Sequence, residues 1–377
     1  MLTSVNVELG PRSYEVRIVS GAGAGDFGAF AREALGSRWA GRDCRSALLV
    51  TDENLEGMAG DYARALDGQG ISTSTAVIPA GESSKSLDRA SDLYDRLVAM
   101  RADRQTCVVG LGGGVVGDLA GFVAATYARG LPLLMIPTSL LAMVDSSVGG
   151  KVGVNHPGAK NIIGAFHQPT GVWIDTASLG TLPAREWRCG LAEVVKYGVI
   201  LDAPFFDFLE EAAGAIAEGE PNATRRIIAR SCELKAGVVG QDEREETGLR
   251  AVLNFGHTVG HSIEAVSGYG GAFQHGEAVA VGMVAESRLA EGLGWIGPEP
   301  TDRLTALLRR FGLPVEAPGL DADALIEAMG RDKKNQRGKI RFVLPRMIGR
   351  VELIDAQEGR IREAIAATIA PGGSGDA

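Results

Sequence analysis

Three of the five histidines in this 377-residue chain fall in one stretch, LNFGHTVGHSIEAVSGYGGAFQHGEAV, residues 253–279. His257 and His261 are four apart, and His275 follows fourteen residues later. A catalytic zinc commonly takes three protein ligands and keeps one position open for water or substrate. Glu193, in LAEVVKYG, joins the histidines as a candidate ligand. On a helix, residues four apart face the same side, so His257 and His261 can reach one metal together. Spacing leaves two other arrangements open: one histidine on a metal with the other on a substrate, or a pair of hydrogen-bonded core histidines. HxxxH without a glutamate at the zincin position does not choose among the three.

Two glycine-rich stretches suit an anion. VVGLGGGVVGDLAG sets Gly112, Gly113, Gly114 and Gly117 between an apolar strand and a helix. Bare backbone and a helix N-terminus at that place suit a phosphate. A tight turn with no ligand accounts for the glycines equally well, and the spacing is not the usual GxGxxG. Asp52, closing the strand SALLVTDEN, is placed to accept a hydrogen bond from a ribose hydroxyl. Residues 126–161, which include TYARG and MVDSSVGGKVGVNHPGAKN, read as a long irregular segment rich in polar groups. There Arg129 offers a planar fork, Lys151 and Lys160 offer point charges, and Asn161 adds a hydrogen bond for an anion. Length, glycines at 149, 150 and 153 and a place after a strand favour function over a solvated loop.

Strands alternating with helices must position these groups in the first half. VNVELG and YEVRIVSG predict an opening hairpin with PRS at the turn. SALLVTDEN, STSTAVIPAGE (ending at Glu82), TCVVGLGGG, LPLLMIPTS and GVWIDTASL follow as strands, with helical patterns such as SLDRASDLYDRLVAMRAD between them. That alternation predicts a Rossmann-like α/β domain with a parallel sheet over residues 1–180. From LAEVVKYGVI onward the pattern is helical, which predicts a mainly α-helical domain over 181–370, with IRFVLPRMIG as a late hairpin strand and 371–377 as a disordered tail. A net charge of −9 argues against a general nucleic-acid binder but allows a small basic pocket. No window nears 18 uninterrupted apolar residues, so no membrane span is expected. The start lacks a signal-peptide pattern and the four cysteines are scattered, so a cytoplasmic protein with reduced thiols is expected.

The segments PAGESSKS, GLGGGVVGDLAGFVAATYARG, PTSLLAMVDSSVGGKVGVNHPGAKNIIGAFHQP, GLAEVVKYG, LRAVLNFGHTVGHSIE, QHGEAVAVGM and MGRDKKNQRGKIRFVL run in order from about residue 79 to 343. Together they make the chain resemble the 3-dehydroquinate synthases, which are sugar phosphate cyclases. The resemblance implies NAD in the first domain, near Asp52, Glu82, Lys85, Gly113, Gly114, Asp118, Thr138, Ser139, Asp145, Lys151 and Lys160. It implies Glu193, His257 and His275 as ligands of zinc or cobalt(II), with His261 in the substrate site. Asp145, Lys151, Asn161, Lys196, Glu246, Arg250, Asn254 and His261 would act on the substrate, helped in binding it by Lys235 and one of Lys333 and Lys334. DEREETGLR is one residue longer than the family's commoner form, so either Glu245 or Glu246 could match; Glu246, four before Arg250, is preferred. Arg129 matches an arginine that reaches a neighbouring subunit's site, which implies a homodimer.

The implied reaction turns 3-deoxy-D-arabino-heptulosonate 7-phosphate into 3-dehydroquinate and phosphate. Its steps are oxidation at C5 by NAD, phosphate elimination, re-reduction, ring opening and intramolecular aldol closure. Rival readings are a cyclase for sedoheptulose 7-phosphate or glucose 6-phosphate, a metal-dependent polyol dehydrogenase, and a non-catalytic NAD sensor. Lys235 and Arg250, suited to a substrate carboxylate, favour the first reading.

Overall fold

The computed structural model describes residues 2–38, 44–268, 272–330 and 340–369. The expected tail 371–377 and both Lys333 and Lys334 lie outside the described residues. The chain divides into two compact units, Met1–Pro183 with Arg225–Arg244, and Ala184–Thr224 with Glu245–Ala377.

In the first unit β1 (Thr3–Val7) and β2 (Tyr14–Val19) form the antiparallel opening hairpin. There follow α1 (Gly23–Arg38), β3 (Ser46–Asp52), α2 (Glu56–Asp67), β4 (Ser72–Ile78), α3 (Leu87–Ala99), β5 (Thr106–Gly112), α4 (Gly114–Thr126), β6 (Leu133–Pro137), β7 (Lys151–His156), β8 (Ala159–Phe166) and β9 (Gly171–Asp175). Seven of these strands make one sheet in the order β1-β2-β9-β6-β5-β3-β4, parallel except for the first pair. Every residue of β5, β6 and β9 is buried. Strands covered on both faces need no alternation, which is why these three read as unbroken apolar runs. Phe27 and Phe30 of α1 cover one face, packed on Trp173 of β9.

Two expectations need correction here. The strand in STSTAVIPAGE ends at Ile78, and Glu82 opens a short 3-10 turn, Glu82–Ser84. Pro79 has no N–H to continue a ladder. The stretch 126–161 is also less irregular than it reads, because β7 and the start of β8 lie in it as part of an antiparallel hairpin. Gly153 and Gly164 face each other across it, and a Cβ on either would come within 2.7 Å and 2.5 Å of a backbone oxygen of the other strand. Glycines that permit this close approach also hide the alternation by which a strand is recognised.

The later elements are α5 (Ala184–Leu201), α6 (Ala203–Glu211), α7 (Ala213–Ala217), α8 (Pro221–Gln241), α9 (His257–Val266), α10 (His275–Gly292), α11 (Pro298–Arg310), α12 (Ala322–Gly330), β10 (Ile340–Met347), β11 (Arg350–Ala356) and α13 (Glu358–Ile369). Most of α8 belongs to the first unit, although its sequence position placed it in the second domain. Its Cys232 thiol donates to the Met143 carbonyl and Lys235 pairs with Asp145, ties that helical periodicity does not reveal. The strand expected in IRFVLPRMIG pairs with β11, and α13 had no counterpart in the sequence reading.

Helix α10 is the centre of the second unit. From Ala278 to Ser287 every residue is buried, as expected of a helix that is small or apolar on all sides. Glycines bring its backbone against two neighbours. A Cβ on Gly282 would land on the Gly256 carbonyl oxygen, and one on Gly276 on the carbonyl of Cys189 in α5. The start of α9, the start of α10 and the middle of α5 therefore meet at backbone contact. Among the described residues, no helix is long and apolar enough to cross a membrane.

Candidate functional site

That meeting point gathers Glu193 from α5, His257 from the first turn of α9 and His275 from the first turn of α10. The Nε2 atoms of His257 and His275 stand 3.5 Å and 3.6 Å from the Glu193 carboxylate. One ligand atom from each of the three residues lies within 4.8 Å of the other two. The opposite ring nitrogens are engaged: His257 Nδ1 lies 3.0 Å from the Phe255 carbonyl and His275 Nδ1 3.1 Å from the Glu264 carboxylate. A ring that donates Nδ1–H to an oxygen presents the Nε2 lone pair, the form that binds a metal. Glu193 is fully buried, and its other oxygen pairs with the buried ammonium of Lys196. The donor set, its convergence and its outer partners fit a divalent cation such as zinc.

Electrostatics separate the two imidazoles. Burial, then the Lys196 ammonium, holds His257 well below the ordinary imidazole range, so it stays neutral. Burial also pulls His275 down, but hydrogen bonds to Glu193 and Glu264 outweigh it and push His275 up to about 10. In the metal-free chain a proton on His275 sits where a cation would sit.

His261 belongs to a different grouping. Its side chain falls with Glu264 and His275 in a second possible cluster, not with Glu193 and His257. The ring is exposed, and with Asn254, His257, Thr258, Arg341, Val343 and Leu353 it lines a pocket. HTVGH thus has one histidine turned to the buried carboxylate and one turned to open space. Nearby, buried Arg250 has Glu245, the alternative to Glu246, at 3.9 Å.

The first unit assembles a separate polar site. In sequence order β4 follows β3 to one side, and β5, β6 and β9 step away to the other, so the sheet's switch point lies between β3 and β5. Ligands of open α/β sheets bind outside the strand ends at such a point. There β3 ends on Asp52, whose carboxylate accepts from the Asn54 N–H at 2.9 Å, and β5 runs into Gly113, the N-cap of α4, which makes no side-chain capping bond. Ser139 accepts from the Ala142 N–H at 3.3 Å beside buried Thr138. Buried Lys85 bonds both Asp118 and Asn161, and Glu82 accepts from Asn155 at 2.7 Å. Lys235 reaches the Asp145 carboxylate at 2.7 Å. Lys151 is exposed and Lys160 half-buried on the β7–β8 hairpin. Ala128 and Arg129 both have positive φ, 48° and 67°, an uncommon run for residues with a Cβ. A strand-end carboxylate, a bare glycine turn and a helix N-terminus at the switch point fit a dinucleotide.

Glu264 and Glu286 escaped the sequence reading. Glu264 lies seven residues after His257, on the same helical face, a spacing that would have revealed it. Glu286 is a lone carboxylate in the otherwise small and apolar run AVAVGMVAES, residues 278–287, and such a buried charge is itself a signal.

Comparison with known proteins follows the same lines. Residues 75–189 match the family model for 3-dehydroquinate synthase N-terminal regions, and residues 190–335 match that for the C-terminal region. A curated 3-dehydroquinate synthase of Desulforamulus reducens is 49% identical over 362 residues, covering 95% of this chain and 98% of its own. Among solved structures, the 2-epi-5-epi-valiolone synthase of Streptomyces hygroscopicus subsp. jinggangensis 5008, with NAD+ and Zn2+ bound, is 29% identical with a TM-score of 0.82, over 94% of this chain and 96% of that one. A 2-deoxy-scyllo-inosose synthase shares the fold at 24% identity and a TM-score of 0.85, over 97% of this chain and 100% of its own.

Proposed function

This chain belongs to the 3-dehydroquinate synthase family, and on that premise we propose that it converts 3-deoxy-D-arabino-heptulosonate 7-phosphate into 3-dehydroquinate and phosphate, with NAD and a divalent metal, zinc or cobalt(II), as resident cofactors. The observation that carries the reading is the convergence of Glu193, His257 and His275 on one point, with His261 beside them facing a pocket. The valiolone synthase that shares this fold holds the same pair of cofactors. When bound, the metal supplies acidity to a coordinated hydroxyl, and NAD takes up a hydride and returns it.

The chain's own residues do the rest. Glu193, His257 and His275 hold the metal, with Phe255 and Glu264 fixing the two rings in the ligating tautomer. His261, exposed at the pocket, donates to and accepts from substrate oxygens. Asn254 lines the same pocket, and its amide is steadied by the Ala251 carbonyl at 3.1 Å. Lys151, Asn161, Lys196, Lys235 and Arg250 are the groups for the substrate carboxylate and phosphate. Fixing both anionic ends favours ring closure by restricting the geometry. The leaving phosphate takes the C6 proton, so no separate strong base is needed. Asp52, Glu82, Lys85, Asp118 and the Gly113–Gly114 turn receive the dinucleotide. The protein acts in the cytoplasm as a homodimer, with Arg129, on its positive-φ turn, serving the neighbouring subunit's site.

Phosphate release from protein loaded with zinc and NAD+ tests this reading, with the heptulosonate phosphate and sedoheptulose 7-phosphate offered in parallel. Release from the heptulosonate alone, with no net NADH, is expected. Release from sedoheptulose 7-phosphate alone overturns the substrate, and net NADH without phosphate release points to a dehydrogenase.

A further inference from the structure

Helix α9 begins at Gly256, whose φ of 78° and missing side chain leave it without a side-chain cap. A helix start has four N–H groups with no intrahelical partner, and they must find acceptors when buried. The acceptors come from the next helix. Glu286, in the fourth turn of α10 and fully buried, receives the Gly256 N–H at 2.8 Å on one oxygen and the Val259 N–H at 3.4 Å on the other. These two N–H groups flank His257. The glycine crossing makes the reach possible, since Gly282, one turn before Glu286, lies directly against the Gly256 carbonyl.

We propose that Glu286 is a positioning residue for the metal centre, clamping the N-terminus of α9 so that His257 is aimed at Glu193 and His261 at the pocket. The inference rests on the metal reading above. The carboxylate form is suited to the task because it offers two acceptor oxygens on one rigid plane; burial pushes Glu286 up to about 8, and the backbone N–H groups it receives oppose that rise. Glutamine keeps the shape and one acceptor but turns an NH2 group toward one of the two N–H donors. An apolar residue would leave both donors unsatisfied.

The test compares Glu286→Gln with Leu289→Ala, a cavity-forming change in the same helix core, in the full chain. Zinc affinity is measured by competition with a chelating dye, and the visible bands of the cobalt(II)-loaded protein report the ligand geometry. Glu286→Gln is expected to weaken zinc about tenfold to a hundredfold, the usual effect of losing an outer partner of a metal site, and to shift the cobalt bands. Leu289→Ala should lower the melting temperature while leaving affinity and bands as in the unaltered chain. Unaltered affinity and bands in Glu286→Gln overturn the proposal. So does an equal loss in Leu289→Ala, which would make Glu286 part of general packing. An unaltered chain that binds no zinc overturns both this inference and the metal reading, so the two failures are distinct.

Discussion

The polar site of the first unit and the histidine site of the second are organised on opposite electrostatic plans. In the first, Lys85 already bonds Asp118 and Asn161, and Lys235 already bonds Asp145, so cations and anions satisfy one another within the chain. A ligand entering there must exchange for bonds that exist. In the second, two imidazole nitrogens and a carboxylate oxygen point their lone pairs at one region, which only a proton or a cation stabilises. Buried charge is tolerated in either plan if it is paired. The first plan lets an anionic molecule come and go, and the second holds a small cation tightly and ties its binding to protons.

Removing one ligand is the sharpest way to break this contrast. His275→Ala should abolish bound zinc and turnover while NAD still binds, because none of the groups assigned to the dinucleotide is a ligand of the metal. His261→Ala should keep the metal and slow turnover about 10²–10⁴-fold, the range for losing a proton-transfer group. Metal analysis and dinucleotide titration check both; zinc retained in His275→Ala reverses the assignment. Next in size is Gly282→Ala, whose methyl would meet the Gly256 carbonyl. It should cost about 1–3 kcal/mol as overpacking does, read from denaturant midpoints, with zinc affinity falling and NAD affinity kept.

Lys85→Ala works from the other side. It should weaken NAD about tenfold, in keeping with roughly 1.5 kcal/mol for a hydrogen bond to a charged group, and leave zinc content unchanged. Loss of zinc in that variant would show that the two plans are not separate.

A pH dependence is expected as well. With His275 raised to about 10 in the metal-free chain, zinc must displace its proton at neutral pH, so affinity should rise up to about tenfold per pH unit toward 10. In the absence of metal the same raised value favours folding fully below about pH 6.5, and that contribution fades as pH rises through about 10. Calorimetry in buffers of differing ionisation enthalpy should count about one proton released per zinc at pH 7.5; none released would place the proton elsewhere.

Much of this was legible in the residues. Unbroken apolar runs predicted β5, β6 and β9 because strands buried on both faces need no alternation, and the places of Asp52 at a strand end and Gly113 at a strand–helix turn are legible because such ends and turns are local signals. His257 and His261 shared a helix as their spacing required. What spacing could not tell was which way each imidazole turns, since a four-residue interval fixes a common face but not the partner waiting there. That partner, Glu193, is 64 residues away in sequence and comes near through two close helix approaches, α9 on α10 at Gly282 and α10 on α5 at Gly276. The return of α8 to the first unit and the reach of Glu286 to the start of α9 are of the same kind. Periodicity and capping chemistry act within a few residues and are written in the sequence. Contacts between helices depend on backbone approach distances that only the packed tertiary structure decides.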